Sequence, residues 1–512
     1  MNQRAIIHII FAVLGIPVLI TIGIWSATDP LYAGVAAIIV IGITVLSQLG
    51  KKVWLLIPLF AVFSGAVNML PGHFAPRDLA VGVAAAILPP IWVMKRFPIR
   101  FRLGSIEVAL LALFAFVGQA YFRNPVGLSI FGSGVIGGRP YFELVVSVVA
   151  FLILSVQIVD FKSIRLMIFA NFAGSVALPI YNTMLGLFPS LALYGASIYQ
   201  SGTTSRAISE HLLGSDPNQG GGRRAYLARF SRPIMNLILA FKSPLQLIVP
   251  KNFGYLLLAA FAGVCVLLGG FRSGVAGYGM LVIVAAILHR KPIQLVVMGL
   301  IGGPVIAVLL VLQGAVIELP SPAQRALSFL PADWNDDAVE NAQDSSEWRF
   351  EMWEVALSSD RYIRNKWFGD GFGFTARELD YQMELMTTGM APADMQDYYL
   401  TTGTFHSGPI ETIKRVGYMG LLALLVVMGV FFKESLGLVN RARGTPYFPY
   451  AVFVAMPLLI LPFKFVLIFG AFQGAVSGLL LAGGMMRMID TSLTKWKAAR
   501  AAESLPEGAV TR

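Results

Sequence analysis

The chain has 512 residues, of which 56% are hydrophobic and only 13% are charged. A soluble protein of this composition could not cover its core with polar surface, so the soluble globular class is excluded and lipid is the expected solvent. The net charge of +11 would suggest nucleic-acid binding in a soluble protein, but many of the cations lie in short loops between apolar runs, and no basic–aromatic nucleic-acid module is present.

Apolar runs long enough to cross a bilayer recur along the chain and predict an all-α, polytopic transmembrane helix bundle with about 12 to 14 spans. Connections rich in Lys and Arg occur at every second turn, and placing them in the cytoplasm puts both termini inside. The candidate spans are residues 5–25, 31–49, 53–70, 79–94, 106–122, 142–159, 166–188, 233–250, 253–270, 274–288, 293–312, 416–432, 447–462 and 465–486.

This orientation also predicts how the chain is divided. The segment 313–415, about 100 residues long, is too long for a simple connector. Trp348, Met352 and Val355 stand at helical spacing within it, so this outer loop is expected to be partly helical. The predicted parts are N-terminal transmembrane helices (1–188), an outer loop (189–232), central transmembrane helices with an arginine turn (233–312), the large outer loop (313–415), C-terminal transmembrane helices (416–490) and a cytoplasmic tail (491–512).

Two arginines are candidates for binding an anion. Arg272 lies in GGFRSG between two apolar runs, where a cation is costly unless it faces a cavity or has a partner. The alternative is an interfacial arginine that reaches the lipid headgroups. Arg349 lies in EWRFEMWEVAL, and its planar guanidinium group suits bidentate contacts with phosphate. A surface salt bridge to Glu351 or Glu354 is the alternative.

A histidine near the end of the large loop is the candidate general base. His406 lies in TGTFHSGPIE, just before a span, and histidine can exchange a proton near neutral pH. A packed histidine at a helix entry is the alternative, and Glu411 could orient the ring. In the first outer loop, Arg223 and Arg224 could bind substrate or anionic headgroups, or be solvated.

Other common chemistries find little support in the sequence. The glycines of GDGFGF (369–374) do not stand in a strand–turn–helix unit, so dinucleotide binding is excluded. Cys265 is the only cysteine, which rules out an intrachain disulfide and a cysteine-rich metal site. An acidic run in the large loop could bind a divalent metal, but a solvated loop face is the preferred interpretation, so we expect neither a metal nor another cofactor. Its residues are Asp333, Asp336, Asp337, Glu340 and Asp344.

The order of these motifs resembles that of the O-antigen ligase family of membrane glycosyltransferases. FRSG opens one span, and the long outer loop then carries WRFEMWEVAL, WFGDGFG and His406, followed by E-x5-G-x2-G at the entry to the next span. The resemblance covers about residues 195–435. The chain departs from the family pattern at Ser407, where members often have Asn, and in the cations Lys414 and Arg415.

The resemblance implies a metal-independent, inverting transferase of the bacterial inner membrane. Such enzymes take a glycan from an undecaprenyl-diphosphate carrier at the periplasmic face; ligases transfer it to lipid A–core and polymerases to another glycan. Arg272 and Arg349 would bind the diphosphate, and His406 would activate the acceptor hydroxyl. The expected partners are this lipid-linked donor, an acceptor glycan or lipid A–core, and membrane lipid, but no nucleic acid.

A transporter of a polyprenyl-linked glycan or a small solute is the alternative from a different class. Polar side chains within the predicted spans could line a transport path. However, the sequence contains no inverted repeat, and a transporter has no need of a large outer loop carrying Arg and His. These polar residues are Asn68, Glu107, Gln119, Asn171 and Lys464.

Overall fold

The structure is a computed structural model of the chain. The predicted span 5–25, most of the span 31–49, and Arg223 lie outside the residues that it describes. The described residues are 49–68, 74–93, 100, 103–126, 137–201, 224–373 and 395–503.

The described part of the chain is almost entirely helical. It also holds a two-stranded antiparallel sheet, in which β1 (Ala66–Val67) pairs with β2 (Tyr199–Gln200). The α-helices are α1 (Leu56–Phe60), α2 (Pro76–Val93), α3 (Ser105–Arg123), α4 (Gly138–Ser155), α5 (Phe161–Leu187), α6 (Pro189–Ile198), α7 (Ala225–Phe241), α8 (Phe253–Leu268), α9 (Arg272–Leu288), α10 (Ile293–Leu312), α11 (Ser321–Leu327), α12 (Asp336–Ser358), α13 (Met395–Thr402), α14 (Gly408–Ala442), α15 (Phe448–Phe463) and α16 (Phe472–Glu503).

Nine of the described helices are long and apolar enough to cross a bilayer, and α9 is a shorter apolar helix. This confirms the prediction of an all-α, polytopic helix bundle. The helix α16 lies at its centre, packed against α4, α14 and α15, and most of its span is buried. The helix α10 lies at the periphery and exposes nearly all of its apolar side chains, as expected for a surface in contact with lipid.

Several predicted spans differ from the structure; for example, the predicted span 465–486 is shifted, because α16 begins at Phe472 and runs to Glu503. The predicted span 53–70 is interrupted, because α1 ends at Phe60 and the chain then turns into β1. Gly65 makes this turn possible, since a Cβ atom there would lie 2.2 Å from the carbonyl oxygen of Gln200. The predicted span 233–250 is shifted, because α7 runs from Ala225 to Phe241 and ends before Pro244, which begins a 3-10 turn.

The helix α14 is broken near its start at Gly417, which has φ of 75°. At this break the chain exchanges helical hydrogen bonds for bonds to the large outer loop: the backbone nitrogen of Tyr418 donates to the carbonyl oxygen of Lys366 at 2.8 Å, and that of Met419 to Trp367 at 3.2 Å. A Cβ atom on Gly417 would lie 2.1 Å from the carbonyl oxygen of Trp367. The break therefore docks the WFGDGFG turn against α14.

Replacing Gly417 by Ala should destabilise the fold. The left-handed backbone and the collision with Trp367 together are expected to cost about 2 kcal/mol or more, which thermal unfolding of the purified chain would show as a lower Tm. The matched control is Gly429→Ala in the same helix, where an added Cβ atom meets nothing within 4 Å. Equal Tm values for the two variants would contradict the proposed docking.

Candidate active site

Arg272 is the first residue of α9 and follows a tight turn. Gly270 has φ of 70°, and this left-handed conformation lets the chain reverse within three residues of the end of α8. The half-buried Arg272 side chain donates a hydrogen bond from Nη2 to the carbonyl oxygen of Ala342 in α12. The arginine turn is thus tied to the helix of the large outer loop.

Arg349 lies on α12, about two helical turns after Ala342, and so on the same side of that helix. Burial, and to a smaller extent the positive charge of Arg272, lower the pKa of Arg349. Its Nε atom is buried and has no hydrogen-bond partner among the described residues. Two guanidinium groups therefore lie close enough to repel each other, an arrangement that a bound anion would relieve.

His406 lies in the short connection between α13 and α14, with φ of 53°. Non-glycine residues seldom adopt this conformation, and such backbone strain concentrates at functional sites. Aromatic rings surround the imidazole, with centroid distances of 4.9 Å to Tyr399, 5.6 Å to Phe469 and 6.3 Å to Trp348. The ring is therefore held by packing from α12, α13 and the segment that precedes α16.

Electrostatic contact links the three residues into one site. Burial, followed by the positive charge of Arg349, lowers the pKa of His406 to about 4. Arg349 is in turn within range of Arg272. The imidazole is consequently neutral at physiological pH and lies within electrostatic range of the fixed positive charge of Arg349. The structure thus links Arg272, Arg349 and His406, the three residues that the sequence suggests for the chemistry, in one chain of electrostatic contacts.

Glu411 does not orient the imidazole. Its carboxylate accepts a hydrogen bond from the backbone nitrogen of Phe472 at 3.2 Å and so caps the first turn of α16. Ser407 is buried and takes the N-cap position of α14. Glu411 therefore connects α14 to α16, and Ser407 marks the start of α14.

Two buried cations that the sequence marks only as departures from the family pattern hold the loop around His406. Lys414 Nζ donates to the carbonyl oxygen of Thr401 at 2.9 Å, and Arg415 Nη2 donates to that of Thr402 at 3.1 Å. The Arg415 guanidinium also lies 4.7 Å from the ring centroid of Phe372. The sequence signal for this role is a pair of adjacent cations directly before the predicted span 416–432.

The GDGFG turn packs against the bundle and does not resemble a nucleotide loop. The Asp370 carboxylate accepts from the backbone nitrogens of Arg364 at 2.8 Å and Asn365 at 3.0 Å. The glycines allow close approach, since a Cβ atom on Gly369 would lie 2.4 Å from the backbone nitrogen of Val416. The turn therefore fixes this part of the large loop onto α14.

The remaining predicted substrate-binding residues lie at the rim or outside the described chain. Arg224 is exposed at the start of α7, where its backbone nitrogen donates to the carbonyl oxygen of Leu268 at 3.3 Å. It therefore stands near the arginine turn, while Arg223 lies outside the described residues.

Comparison with known proteins agrees with the order of the motifs. Residues 257–425 match the sequence model of the O-antigen ligase family, whereas no curated protein matches the chain. The matched segment begins in α8, ends in α14 and includes Arg272, Arg349 and His406. The chain is thus a multi-pass membrane protein whose segment 257–425 is similar to the O-antigen ligase family, a similarity that supports an enzyme of the glycosyl-transferring ligase and polymerase type.

Proposed function

We propose that the protein transfers a glycan from an undecaprenyl-diphosphate carrier to an acceptor hydroxyl at the outer face of the membrane. The observation that carries this proposal is the convergence of Arg272, Arg349 and His406 at one end of the bundle. The distribution of Lys and Arg in the short loops supports an outward-facing site in the inner membrane.

Arg272 and Arg349 would bind the diphosphate. Both guanidinium groups are half-buried, and bidentate contacts with phosphate oxygens would compensate their mutual repulsion. As the bond between the sugar and the diphosphate breaks, negative charge grows on the leaving group. Permanently charged guanidinium groups held near these oxygens would stabilise that charge without a metal ion.

His406 would accept the proton of the acceptor hydroxyl. The acceptor oxygen then forms a bond to the anomeric carbon while the bond from that carbon to the diphosphate oxygen breaks, which inverts the anomeric centre. A pKa of about 4 keeps the free imidazole neutral and able to accept a proton, but also makes it a weak base. Diphosphate bound at Arg349 would offset the positive charge that lowers this pKa, so donor binding would strengthen the base.

The aromatic rings beside His406 fit a sugar. Trp348 and Tyr399 pack edge to face at 5.4 Å, and Phe469 stacks on the imidazole on another side. Such rings present flat apolar faces that suit the apolar face of a sugar ring, and the polar tips of Trp348 and Tyr399 suit its hydroxyl groups. They would position the reacting sugar between the arginines and the base.

The direct test uses the purified chain in liposomes with labelled undecaprenyl-diphosphate-linked glycan. We expect covalent transfer of the label to an acceptor, with separate reactions offering lipid A–core and a second donor glycan to distinguish a ligase from a polymerase. Transfer should persist in EDTA, because the two arginines supply the positive charge. Movement of the intact donor across the bilayer without covalent transfer would instead establish the transporter alternative.

The acidic limb of the pH profile provides a test of the base. kcat/KM for transfer reports the free enzyme, so activity should stay level from neutral pH down to about pH 5 and fall as the pH approaches the His406 pKa of about 4. An ordinary histidine would lose activity below its usual pKa of about 6.5. An acidic limb centred near pH 6.5 would contradict the assignment of His406 as the base.

The lowered pKa of His406 also predicts how the stability of the fold depends on pH. The contribution of the neutral imidazole to stability should be complete above about pH 6.5 and lost as the pH falls through 4.

A further inference from the structure

A second group of cations lies in the first half of α7 and just after α15. Arg229 and Arg232 are three residues apart on α7 and therefore share one face of that helix. Lys464 begins the π-helical turn Lys464–Ile468 that follows α15. Arg232 lies within electrostatic range of Lys464. We call these three residues the second cation group.

The antiparallel packing of α7 and α15 explains why these side chains meet. Asn236 Nδ2 donates to the carbonyl oxygen of Phe453 at 3.0 Å, and the rings of Phe241 and Tyr450 lie 5.5 Å apart. Following α7 from Phe241 toward its start therefore leads toward the end of α15. Arg232 is one helical turn before Asn236 in the sequence, and so lies closer to the end of α15, which Lys464 follows.

The two arginines are accessible although their helix packs against four others. The helix α7 packs against α5, α8, α9 and α15, so neighbouring helices surround it. Arg229 and Arg232 are nevertheless exposed to solvent. An exposed cation on a helix that is otherwise packed against its neighbours is open to a ligand, and polar groups within a membrane bundle usually mark a ligand or water-filled path.

The second cation group lacks the acidic partner that several other cations of the bundle have. Arg77 pairs with Glu143 at 2.9 Å, and Arg487 pairs with Glu107 at 2.7 Å. In the described ranges, no carboxylate pairs with a member of the second cation group, and the only titratable neighbours that influence it are Tyr199 and the group itself. Clustered positive charges without counter-charges are costly in an apolar bundle, so an anion from outside the chain would complete the arrangement.

The second cation group adjoins the candidate active site. The backbone nitrogen of Phe469 donates to the carbonyl oxygen of Lys464 at 2.9 Å, and the Phe469 ring stacks on His406 at 5.6 Å. One short turn therefore separates Lys464 from the wall of the His406 site. An anion bound by the second cation group would lie beside the reacting sugar, on elements that contribute neither Arg272 nor Arg349.

We propose that Arg229, Arg232 and Lys464 form a second anion site, which holds the phosphate or diphosphate of a lipid-linked acceptor. This inference rests on the proposed function, because an enzyme that joins two lipid-borne glycans must hold two anionic headgroups at once. Two such headgroups repel each other and require separate cationic partners. The acceptor is thereby assigned to the class of glycans attached to a phosphorylated lipid.

The first experiment measures binding of labelled inorganic diphosphate to the purified full chain, and so does not depend on transfer activity. The wild-type chain should bind two equivalents of diphosphate. The double variant Arg232→Gln/Lys464→Gln should bind diphosphate about 10- to 100-fold more weakly at one site, the range for a lost charged hydrogen-bond donor. The double variant Arg272→Gln/Arg349→Gln should bind it more weakly at the other site. Lys242→Gln, which removes a cation from the opposite end of α7, is the matched control. A single site in wild type, or two intact sites in the Arg232/Lys464 variant, would overturn the proposal.

The second experiment separates a binding role from a structural one and the acceptor from the donor. Removing the charges of Arg232 and Lys464 relieves their mutual repulsion, so the Tm of the ligand-free variant should be no lower than that of wild type. A clear fall in Tm would mean that these cations stabilise the fold, which would contradict the proposal.

In the transfer assay of the same variant, KM for the acceptor should rise about tenfold or more while KM for the donor stays constant. A rise confined to the donor, or no change in either KM, would overturn the assignment to the acceptor.

Discussion

Replacing Arg349 by Gln is expected to lower kcat/KM for glycan transfer by about 10²- to 10³-fold, the range for losing one group that stabilises transition-state charge. Arg349 is the link between the other two residues of the site, since its charge acts on His406 while Arg272 acts on it. Its loss removes a diphosphate contact and weakens the stabilisation of the leaving group. The measurement is steady-state transfer by the purified chain in liposomes.

Companion variants define what Arg349 contributes. Arg349→Lys keeps the charge but not the planar fork, so we expect only partial activity. Arg361→Gln removes an exposed arginine that lies over the Tyr362 ring in the same outer loop, and should leave transfer unchanged. If Arg349→Gln and Arg361→Gln transferred glycan at the same rate, Arg349 would have no role in the chemistry.

Replacing His406 by Asn is expected to lower kcat by about 10²- to 10⁴-fold, the usual contribution of a general base. Asn is the informative replacement because it tolerates the left-handed backbone that His406 adopts, so the loss is assigned to the imidazole and not to backbone strain. Donor binding should change little, because Arg272 and Arg349 remain in place. The measurement is kcat together with KM for the donor.

His289→Asn is the matched histidine control. Its Nε2 atom lies 2.9 Å from the carbonyl oxygen of Leu239, and the residue stands at the end of α9 opposite to Arg272. This variant should keep its kcat. Full activity in His406→Asn would show that the acceptor hydroxyl is deprotonated by another group, and would leave His406 as a packed residue at a helix entry.

The candidate site illustrates what a linear pattern can reveal. Arg272 and Arg349 could be selected because charged residues beside apolar runs are costly and need a reason, and His406 because its proton exchange suits the chemistry of transfer. Their proximity was an expectation that only the packing of α9, α12 and α14 could test. Glu411 shows the limit: five residues from His406 along the chain, it serves α16, which a local pattern cannot reveal.

Several features of the site depend on pairings between distant segments. Lys414 and Arg415 bind carbonyl groups at the end of α13, and Gly417 breaks its helix to receive the Trp367 turn. In the sequence, Gly417 is an ordinary glycine within an apolar run, where helix propensity alone would predict continuity. The helix is interrupted there because the turn that contains Trp367 docks against Gly417.

Hydropathy by itself determined the class of this protein, because a bilayer imposes the length and polarity of each span and the placement of Lys and Arg on one side. The family resemblance likewise followed from motif order along the chain. Only the tertiary structure decided that Arg232 of α7 lies within electrostatic range of Lys464, and that Arg272, Arg349 and His406 share one electrostatic site. The reason is that burial and electrostatic contact arise between segments far apart in sequence, whereas hydropathy is a property of each segment alone.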